Sequence, residues 1–160
     1  MMPVAKIVDQ DVMIRAAGEA DLADLGELDT EIFGELAYPP FVLRQWFDLY
    51  RGWWLVAEHP DGLRGYSLGV PVFDRSRGWL LGLGVRQEFW GRGYGRSLTV
   101  NSMRLLEGVG VREVHLTVEP GNRPAIALYQ DLGFAVDRLV KDYLGPGHDR
   151  LLMIAALRSG

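Results

Sequence analysis

The most informative stretch of the sequence reads Trp90-Gly91-Arg92-Gly93-Tyr94-Gly95-Arg96-Ser97. It follows an apolar run, Trp79 to Val85, that is typical of a strand, and it opens a segment with helical periodicity, Tyr94 to Val109. Closely spaced glycines let the backbone approach a ligand, and the start of a helix presents unpaired N–H groups at the positive end of the helix dipole. The stretch therefore predicts a strand, a phosphate-binding loop and a helix, in that order.

The spacing of the glycines excludes two common phosphate loops. A Walker loop, Gly-x-x-x-x-Gly-Lys-Ser/Thr, would need glycine at Trp90 and lysine at Arg96. The dinucleotide fingerprint Gly-x-Gly-x-x-Gly would need glycine at Arg96 as well. What remains resembles the pyrophosphate loop of the GCN5-related N-acetyltransferases (the GNAT family), written Arg/Gln-x-x-Gly-x-Gly/Ala, with Gly93 and Gly95 at its glycines. Taken alone, the loop also fits an ordinary glycine-rich turn.

A later segment resembles a second GNAT block, Asn-x-x-Ala-x-x-Leu-Tyr-x-x-x-Gly-Phe. The matching positions are Asn122, Ala125, Leu128, Tyr129, Gly133 and Phe134. The residues alone predict a short capped helix, because Asn122 is a good N-cap and Gly133 suits the left-handed residue that ends a helix. Phe134 would then pack back toward Tyr129. Two blocks in the family's order make the resemblance to GNAT strong for residues 77–136.

The order of elements agrees with that resemblance over a single domain, residues 1–160. Apolar periodicity and turn residues predict strands at 12–15, 53–58, 63–73, 79–85, 111–118, 134–143 and 151–157. Helices are predicted at 19–33, 42–50 and 94–109 and after Asn122. The order β-α-α-β-β-β-α-β-α-β-β is the GNAT order. We expect an α/β fold, in the α+β sense of a mixed and mostly antiparallel sheet with helices on both faces.

Composition narrows the class of function. Hydrophobic residues make up 48% of the 160 residues, enough for a core, and a net charge of −4 argues against general nucleic-acid or membrane binding. The absence of cysteine excludes a disulfide, a thiolate nucleophile and a cysteine-ligated zinc. His59, His115 and His148 lack metal-ligand spacing, so we expect no metal. Residues 1–11 lack an apolar signal core and no run approaches membrane-spanning length, so the expected location is cytoplasmic.

The resemblance implies acetyl-CoA as the cofactor. Backbone N–H groups of Leu83, Gly84 and Val85 would pair with the pantetheine arm and polarise the thioester carbonyl. The loop would hold the diphosphate through Trp90, Gly91, Arg92, Gly93, Tyr94, Gly95 and Arg96, although Trp90 stands where the family has Arg or Gln. Asn122 is implied as a polar contact, which its capping role explains equally well. Gly82 and Gly84 fit either a strand splay that admits the cofactor or small residues beneath a bulky neighbour.

Acetyl transfer requires a base for the amine and benefits from an acid for the departing thiolate. Tyr129 is the candidate acid, because a phenol is protonated at neutral pH; a core tyrosine is the alternative. Thr117 occupies the position where relatives that acetylate protein N-termini often have Glu. His115 and Glu119 lie two residues either side and are the candidate bases, each with a structural alternative.

Three hypotheses follow. The first is an acetyl-CoA-dependent N-acetyltransferase in which a primary amine, either a peptide N-terminus or a small amine, attacks the thioester directly in a ternary complex. The second is a non-catalytic acyl-CoA-binding or regulatory GNAT-like domain, favoured by Thr117 and Trp90. The third is an unrelated nucleotide-binding α/β domain. An aromatic residue such as Trp79 would be compatible with a homodimer.

Overall fold

The structure is a computed structural model that describes residues 11–157. Outside the described residues lie residues 1–10 and 158–160. They include both ends of the predicted domain and most of the segment 1–11, which is expected to lack a signal core. The strands within this range are β1 (Met13–Ala16), β2 (Trp54–His59), β3 (Gly62–Pro71), β4 (Gly78–Val85), β5 (Glu113–Val118), β6 (Ala135–Val140) and β7 (Arg150–Ala156). The α-helices are α1 (Leu22–Phe33), α2 (Pro40–Leu49), α3 (Tyr94–Gly108) and α4 (Arg123–Asp131).

The observed order of strands and α-helices is the order predicted from the sequence, and most boundaries agree within two residues. Two boundaries differ by three residues: α1 begins at Leu22 after a 3-10 turn at Glu19–Asp21, and β6 stops at Val140 where the sequence predicts Tyr143. Asp142 turns the chain there with a φ of +53°. Its backbone N–H donates to Asp149 Oδ1 (2.9 Å) and its Oδ1 accepts from Gly147 N–H (2.8 Å), which holds a loop in place of further ladder pairing.

The sheet has the order β1-β2-β3-β4-β5-β7-β6. Every neighbouring pair is antiparallel except β4 and β5, which run parallel. These two strands pair only at Gly78 with Val114 and at Trp79 with His115. Beyond those pairs they separate, so a gap opens between the carboxyl ends of β4 and β5. The sheet is mixed and mostly antiparallel, as expected.

Helices cover both faces of the sheet, which confirms the expected fold class. On one face α1 and α2 bury Leu25, Leu28 and Phe47 against Tyr66 and Leu68 of β3. On the other face α3 and α4 pack over β4, β5 and β7. The buried core on this face includes Met103, Leu106, Leu116, Tyr129 and Met153. Among the described residues, no helix has the length and apolar character needed to cross a bilayer.

Helix α4 is capped at both ends by side-chain and backbone contacts. Asn122 Oδ1 accepts a hydrogen bond from Ala125 N–H (3.2 Å), as an N-cap does. At the other end Gly133 has a φ of +98°, and Phe134 N–H donates to Tyr129 O (2.9 Å). This is the Schellman pattern expected from the sequence. The Phe134 ring lies edge-on to Tyr129 at 5.7 Å, so the cap also fixes the position of the tyrosine.

Candidate active site

The backbone of β4 directs hydrogen-bonding groups into the gap between β4 and β5. Arg86 N–H donates to Arg64 O (3.0 Å), and Gly84 pairs with Tyr66. Because antiparallel residues alternate in the direction of their N–H and C=O groups, Leu83 and Val85 direct theirs away from β3. Consistent with this direction, the Trp90 indole N–H donates to Val85 O (2.8 Å). The N–H groups of Leu83 and Val85 therefore face the gap.

Two of the three glycines of β4, Gly82 and Gly84, lie beneath bulky side chains. A Cβ atom on Gly82 would lie 3.0 Å from Tyr66 Cε2, and one on Gly84 would lie 2.8 Å from Ile32 Cδ1. Both distances are too short for a larger residue, so the packing explanation accounts for both glycines. The gap adjoins them as well, but it begins at Trp79, before either glycine.

The loop before α3 forms a backbone cradle. Gly91 and Gly93 adopt φ values of +79° and +88°, which glycine reaches without strain. Gly93 is the N-cap of α3, and Ser97 N–H donates to its carbonyl (3.0 Å), but no side chain caps this end of the helix. The N–H groups at the start of a helix, here those of Gly95 and Arg96, have no acceptor within the helix itself. Such an end suits an anionic group.

The side chains around the loop differ in what they can offer to a ligand. Trp90 is 61% exposed, and its indole N–H is engaged by Val85 O. Arg92 is exposed, whereas Arg96 forms an ion pair with Asp131 of α4. Tyr94 is buried, and its hydroxyl lies 2.8 Å from Arg64 Nη1. Tyr94 can therefore contribute only its backbone to this cradle.

The two sequence blocks that carry the resemblance meet at this point. A Cβ atom on Gly95 would lie 3.4 Å from Leu128 Cδ2, so the first turn of α3 packs closely on α4. The ion pair between Arg96 and Asp131 ties the same helices together. Asn122 is exposed and its side-chain oxygen is used by the cap, which is the role that the structure displays for it.

Tyr129 lies next to the gap. It belongs to one apolar cluster with Leu83 of β4 and Val118 at the end of β5, the strands on either side of the gap. Its side chain is buried, and burial raises the pKa of the phenol above its ordinary value of 10.0. Its hydroxyl makes no hydrogen bond to another described residue. The phenol therefore keeps its proton at neutral pH and has that proton available to donate.

The two candidate bases lie at opposite ends of the gap. His115 is buried where β4 and β5 still pair; its Nε2 lies 2.5 Å from Glu113 Oε1 and its ring 5.1 Å from Trp79. Glu119 follows β5 directly and is exposed at the open end. Thr117 lies between them, half-buried. Glu113 thus holds the imidazole at the closed end, away from the open end where Glu119 lies.

A buried carboxylate on the α1 side of the sheet escaped sequence analysis. Asp29 is 2% exposed; its Oδ1 accepts from Tyr66 O–H and its Oδ2 from Tyr38 N–H, each at 2.6 Å. The Tyr38 hydroxyl lies 3.5 Å from Leu81 O of β4, and burial together with the charge of Asp29 raises the pKa of Tyr38 to about 12. The network fixes the turn between α1 and α2 against β4. The sequence contains one indication of this buried network: the acidic residue Asp29 lies four residues after Leu25, on the apolar stripe of α1.

Comparison with known proteins agrees with this geometry. A family model described as the acetyltransferase (GNAT) family matches residues 22–134. An N-alpha-acetyltransferase of Sulfurisphaera tokodaii is 34% identical over 132 residues, which cover 75% of this chain and 78% of that protein. A mycothiol acetyltransferase of Actinosynnema mirum is 37% identical over 90 residues, which cover 56% of this chain and 30% of that protein. The chain thus spans only about a third of the length of that relative.

A solved structure shows the same fold. The phosphinothricin acetyltransferase of Sinorhizobium meliloti, in complex with acetyl-CoA, superposes with a TM-score of 0.79 at 21% identity. The match covers 94% of this chain and 91% of that one. At this level of identity the likeness concerns the fold.

Proposed function

This chain belongs to the acetyltransferase (GNAT) family, and we propose that it transfers the acetyl group of acetyl-CoA to a primary amine. The observation that carries the proposal is the alignment of two backbone features in one groove. The N–H groups of Leu83 and Val85 face the gap beside β4, and the uncapped start of α3 follows at the end of the same strand. A thioester arm and a diphosphate are the two parts of acetyl-CoA that these features suit.

The residues fit the cofactor without any charged side chain inside the cradle. Gly91 and Gly93 expose backbone rather than side chains, and no atom lies within 4 Å of where a Cβ on Gly91 would stand. Arg92 is exposed beside them and supplies a positive charge at the rim. Trp90, in place of the Arg or Gln of the family pattern, holds the carbonyl of Val85 and so stabilises the end of β4 instead.

Bound acetyl-CoA supplies an activated thioester that an amine attacks directly in a ternary complex. In this scheme the N–H groups of Leu83 and Val85 donate to the thioester oxygen, where negative charge develops. Glu119, at the open end of the gap, accepts the proton of the amine directly or through a water molecule. Tyr129 donates its proton to the departing sulfur. His115 is not the base in this scheme, because Glu113 engages its imidazole at the closed end of the gap.

Two classes of amine remain as acceptors: peptide N-termini and small primary amines. One relative, of which this chain covers 78%, is named an N-alpha-acetyltransferase, which favours a peptide N-terminus. The mycothiol acetyltransferases favour a small amine, and the chain matches only a part of them. We place the peptide N-terminus first for this reason.

A panel of acceptors tests the proposal. The purified chain is incubated with acetyl-CoA and either peptides with different first residues or small amines, and thiol release is recorded against a no-amine control. Release that depends on peptides supports the first class, and release that depends on small amines supports the second. Binding of coenzyme A without any amine-dependent release would favour the non-catalytic alternative. Binding of ATP or NAD in place of coenzyme A would instead indicate an unrelated nucleotide-binding domain.

A further inference from the structure

A chain of contacts connects the buried carboxylate of Asp29 to the strand that borders the gap. One of its oxygens accepts from the Tyr66 hydroxyl of β3 and the other from the Tyr38 N–H in the turn between α1 and α2, each at 2.6 Å. Both partners also contact β4. The Tyr66 ring lies against two glycines of β4, and the Tyr38 hydroxyl lies 3.5 Å from Leu81 O. Asp29 therefore fixes two groups that meet β4 at neighbouring positions.

The contact with Tyr38 is made at a bulge in β4. The pairing of β4 with β3 skips Leu81, which is the additional residue between two consecutive pairs. Such a residue is left out of the ladder, and the strand bends there. The Tyr38 hydroxyl reaches the carbonyl of this residue from the face of the sheet that α1 and α2 cover. The network of Asp29 thus contacts β4 at the point where its regular pairing is interrupted.

Tyr66 supports the residues of β4 that follow the bulge. A Cβ atom on Gly82 would lie 3.1 Å from the Tyr66 hydroxyl oxygen, and one on Gly84 would lie 3.3 Å from Cε1 of the same ring. The ring therefore spans both glycines, behind Leu83, whose N–H group faces the gap. Tyr66 is 1% exposed, so its position is set by packing and by its bond to Asp29. A shift of this ring would move the backbone that carries the Leu83 N–H.

The chemistry of a carboxylate explains how one residue can hold both groups. Asp29 is 2% exposed, and within residues 11–157 it accepts these two hydrogen bonds without an ion pair to a basic side chain. Removing a carboxylate from water is costly, but hydrogen bonds to its charged oxygens are short and strong and offset that cost. A leucine of similar size would avoid the cost and would leave Tyr66 and Tyr38 without this acceptor.

We propose that Asp29 is a positioning residue for acetyl transfer: through Tyr66 and Tyr38 it holds residues 81–84 of β4 where the Leu83 N–H polarises the thioester carbonyl. This inference rests on the proposed function. Asp29 is buried behind the strand and touches neither the acetyl group nor the amine. Its loss should lower the rate of the chemical step and leave the binding of the diphosphate, at the start of α3, unaffected.

The test uses two replacements of Asp29 and one control. Asp29→Leu removes both acceptor oxygens, whereas Asp29→Asn still accepts from the Tyr38 N–H and donates its amide to the Tyr66 hydroxyl oxygen. Ser102→Ala is the matched control, because it removes a buried hydrogen bond between the hydroxyls of Ser67 and Ser102 (2.7 Å) that joins β3 to α3 on the other face of the sheet. Single-turnover thiol release with an accepted amine, the affinity for coenzyme A and thermal unfolding are measured for each variant.

The expected pattern separates positioning from stability. Asp29→Leu should lower the single-turnover rate about tenfold, equivalent to about 1.4 kcal/mol in the barrier, and leave coenzyme A affinity within about twofold. Asp29→Asn should keep the rate within about threefold of the wild type, because it keeps both contacts. Ser102→Ala should lose stability and keep the rate within about twofold. A merely structural role of Asp29 would instead lower the stability of Asp29→Leu and leave the rate of the folded protein unchanged.

Each outcome decides the matter. A wild-type rate in folded Asp29→Leu, an equal loss of rate in Ser102→Ala, or a loss of rate matched by a loss of coenzyme A affinity would overturn the role of Asp29. An Asp29→Asn variant as slow as Asp29→Leu would overturn it too, because the two contacts would then not be sufficient. If Asp29→Leu does not fold, Tyr66→Phe removes one of the two donors and keeps the ring; it should lower the rate about threefold, and a wild-type rate would contradict the inference. A wild type that releases no thiol with any amine would refute the proposed function and this inference with it, a result seen before any variant is made.

Discussion

Replacing Tyr129 by phenylalanine distinguishes a catalytic role of its hydroxyl group from a structural role. The change keeps the ring that packs edge-on against Phe134 at 5.7 Å and removes only the O–H group. General acid catalysis contributes roughly 10²–10⁴-fold, so turnover should fall by that factor, equivalent to ~3–5 kcal/mol in the barrier. The affinity for acetyl-CoA should change little, since the hydroxyl would act only on the departing sulfur.

Stability should respond differently, for a reason visible in the structure. The Tyr129 hydroxyl makes no hydrogen bond to another described residue, so its removal breaks none, and the free energy of unfolding should change by less than about 1 kcal/mol. Tyr66→Phe is the matched control for loss of a buried hydroxyl. Tyr66 O–H donates to Asp29 Oδ1 at 2.6 Å, and losing a bond to a charged group should cost about 1.5–3 kcal/mol of stability.

The assay is thiol release with an accepted amine under single-turnover conditions, where the chemical step is observed. Thermal unfolding of Tyr129→Phe and Tyr66→Phe is measured alongside. A Tyr129→Phe variant that keeps near-full single-turnover rates would refute the assignment of Tyr129 as the acid. Loss of rate accompanied by an equal loss of acetyl-CoA affinity would refute it too, because that pattern indicates a binding role.

Three further predictions concern the backbone and the buried phenols. Gly93→Ala and Gly52→Ala place a side chain at φ values of +88° and +89°, so both variants should lose about 1–2 kcal/mol of stability. Calorimetry should show weaker coenzyme A binding only for Gly93→Ala. If Gly93→Ala binds coenzyme A as tightly as Gly52→Ala does, the loop does not belong to the binding site. Gly84→Ala should lose about 1–3 kcal/mol in denaturant unfolding because its Cβ would stand 2.8 Å from Ile32 Cδ1, and adding Ile32→Val, which deletes that atom, should recover part of the loss. In the folded protein the pKa of Tyr38 is raised to about 12, so with rising pH the unfolded chain loses this proton before the folded protein does. The free energy of unfolding should therefore fall by up to about 1.4 kcal/mol per pH unit between about pH 10 and 12. Tyr38→Phe should make this decline less steep.

Local signals in the sequence account for much of the fold. Asn122 and Gly133 specify the two ends of α4 through contacts within a few residues, so the helix and its cap follow from the sequence. The loop at Gly91 and Gly93 is equally local, because a positive φ needs glycine whatever surrounds it. The order of elements follows from such signals in sum.

The features that escaped prediction depend on distant residues. The bulge at Arg64 arises from the pairing of β3 with β2, and Leu63 to Phe73 alone read as a plain strand. Strand β7 lies between β5 and β6, a placement that the order of elements leaves open. The contact between Glu113 and His115 does not follow from their shared face of β5, because it depends on how each side chain is oriented against its surroundings.

The most direct test of the central claim is to observe backbone amides while acetyl-CoA is added to the labelled protein. The account predicts that the amide signals of Leu83 and Val85, beside the gap, and of Gly93 and Gly95, at the start of α3, shift together with one affinity. The amide of Gly52, in a turn outside the proposed site, should not move. Saturable binding that shifts other amides and leaves these four unchanged would contradict the account.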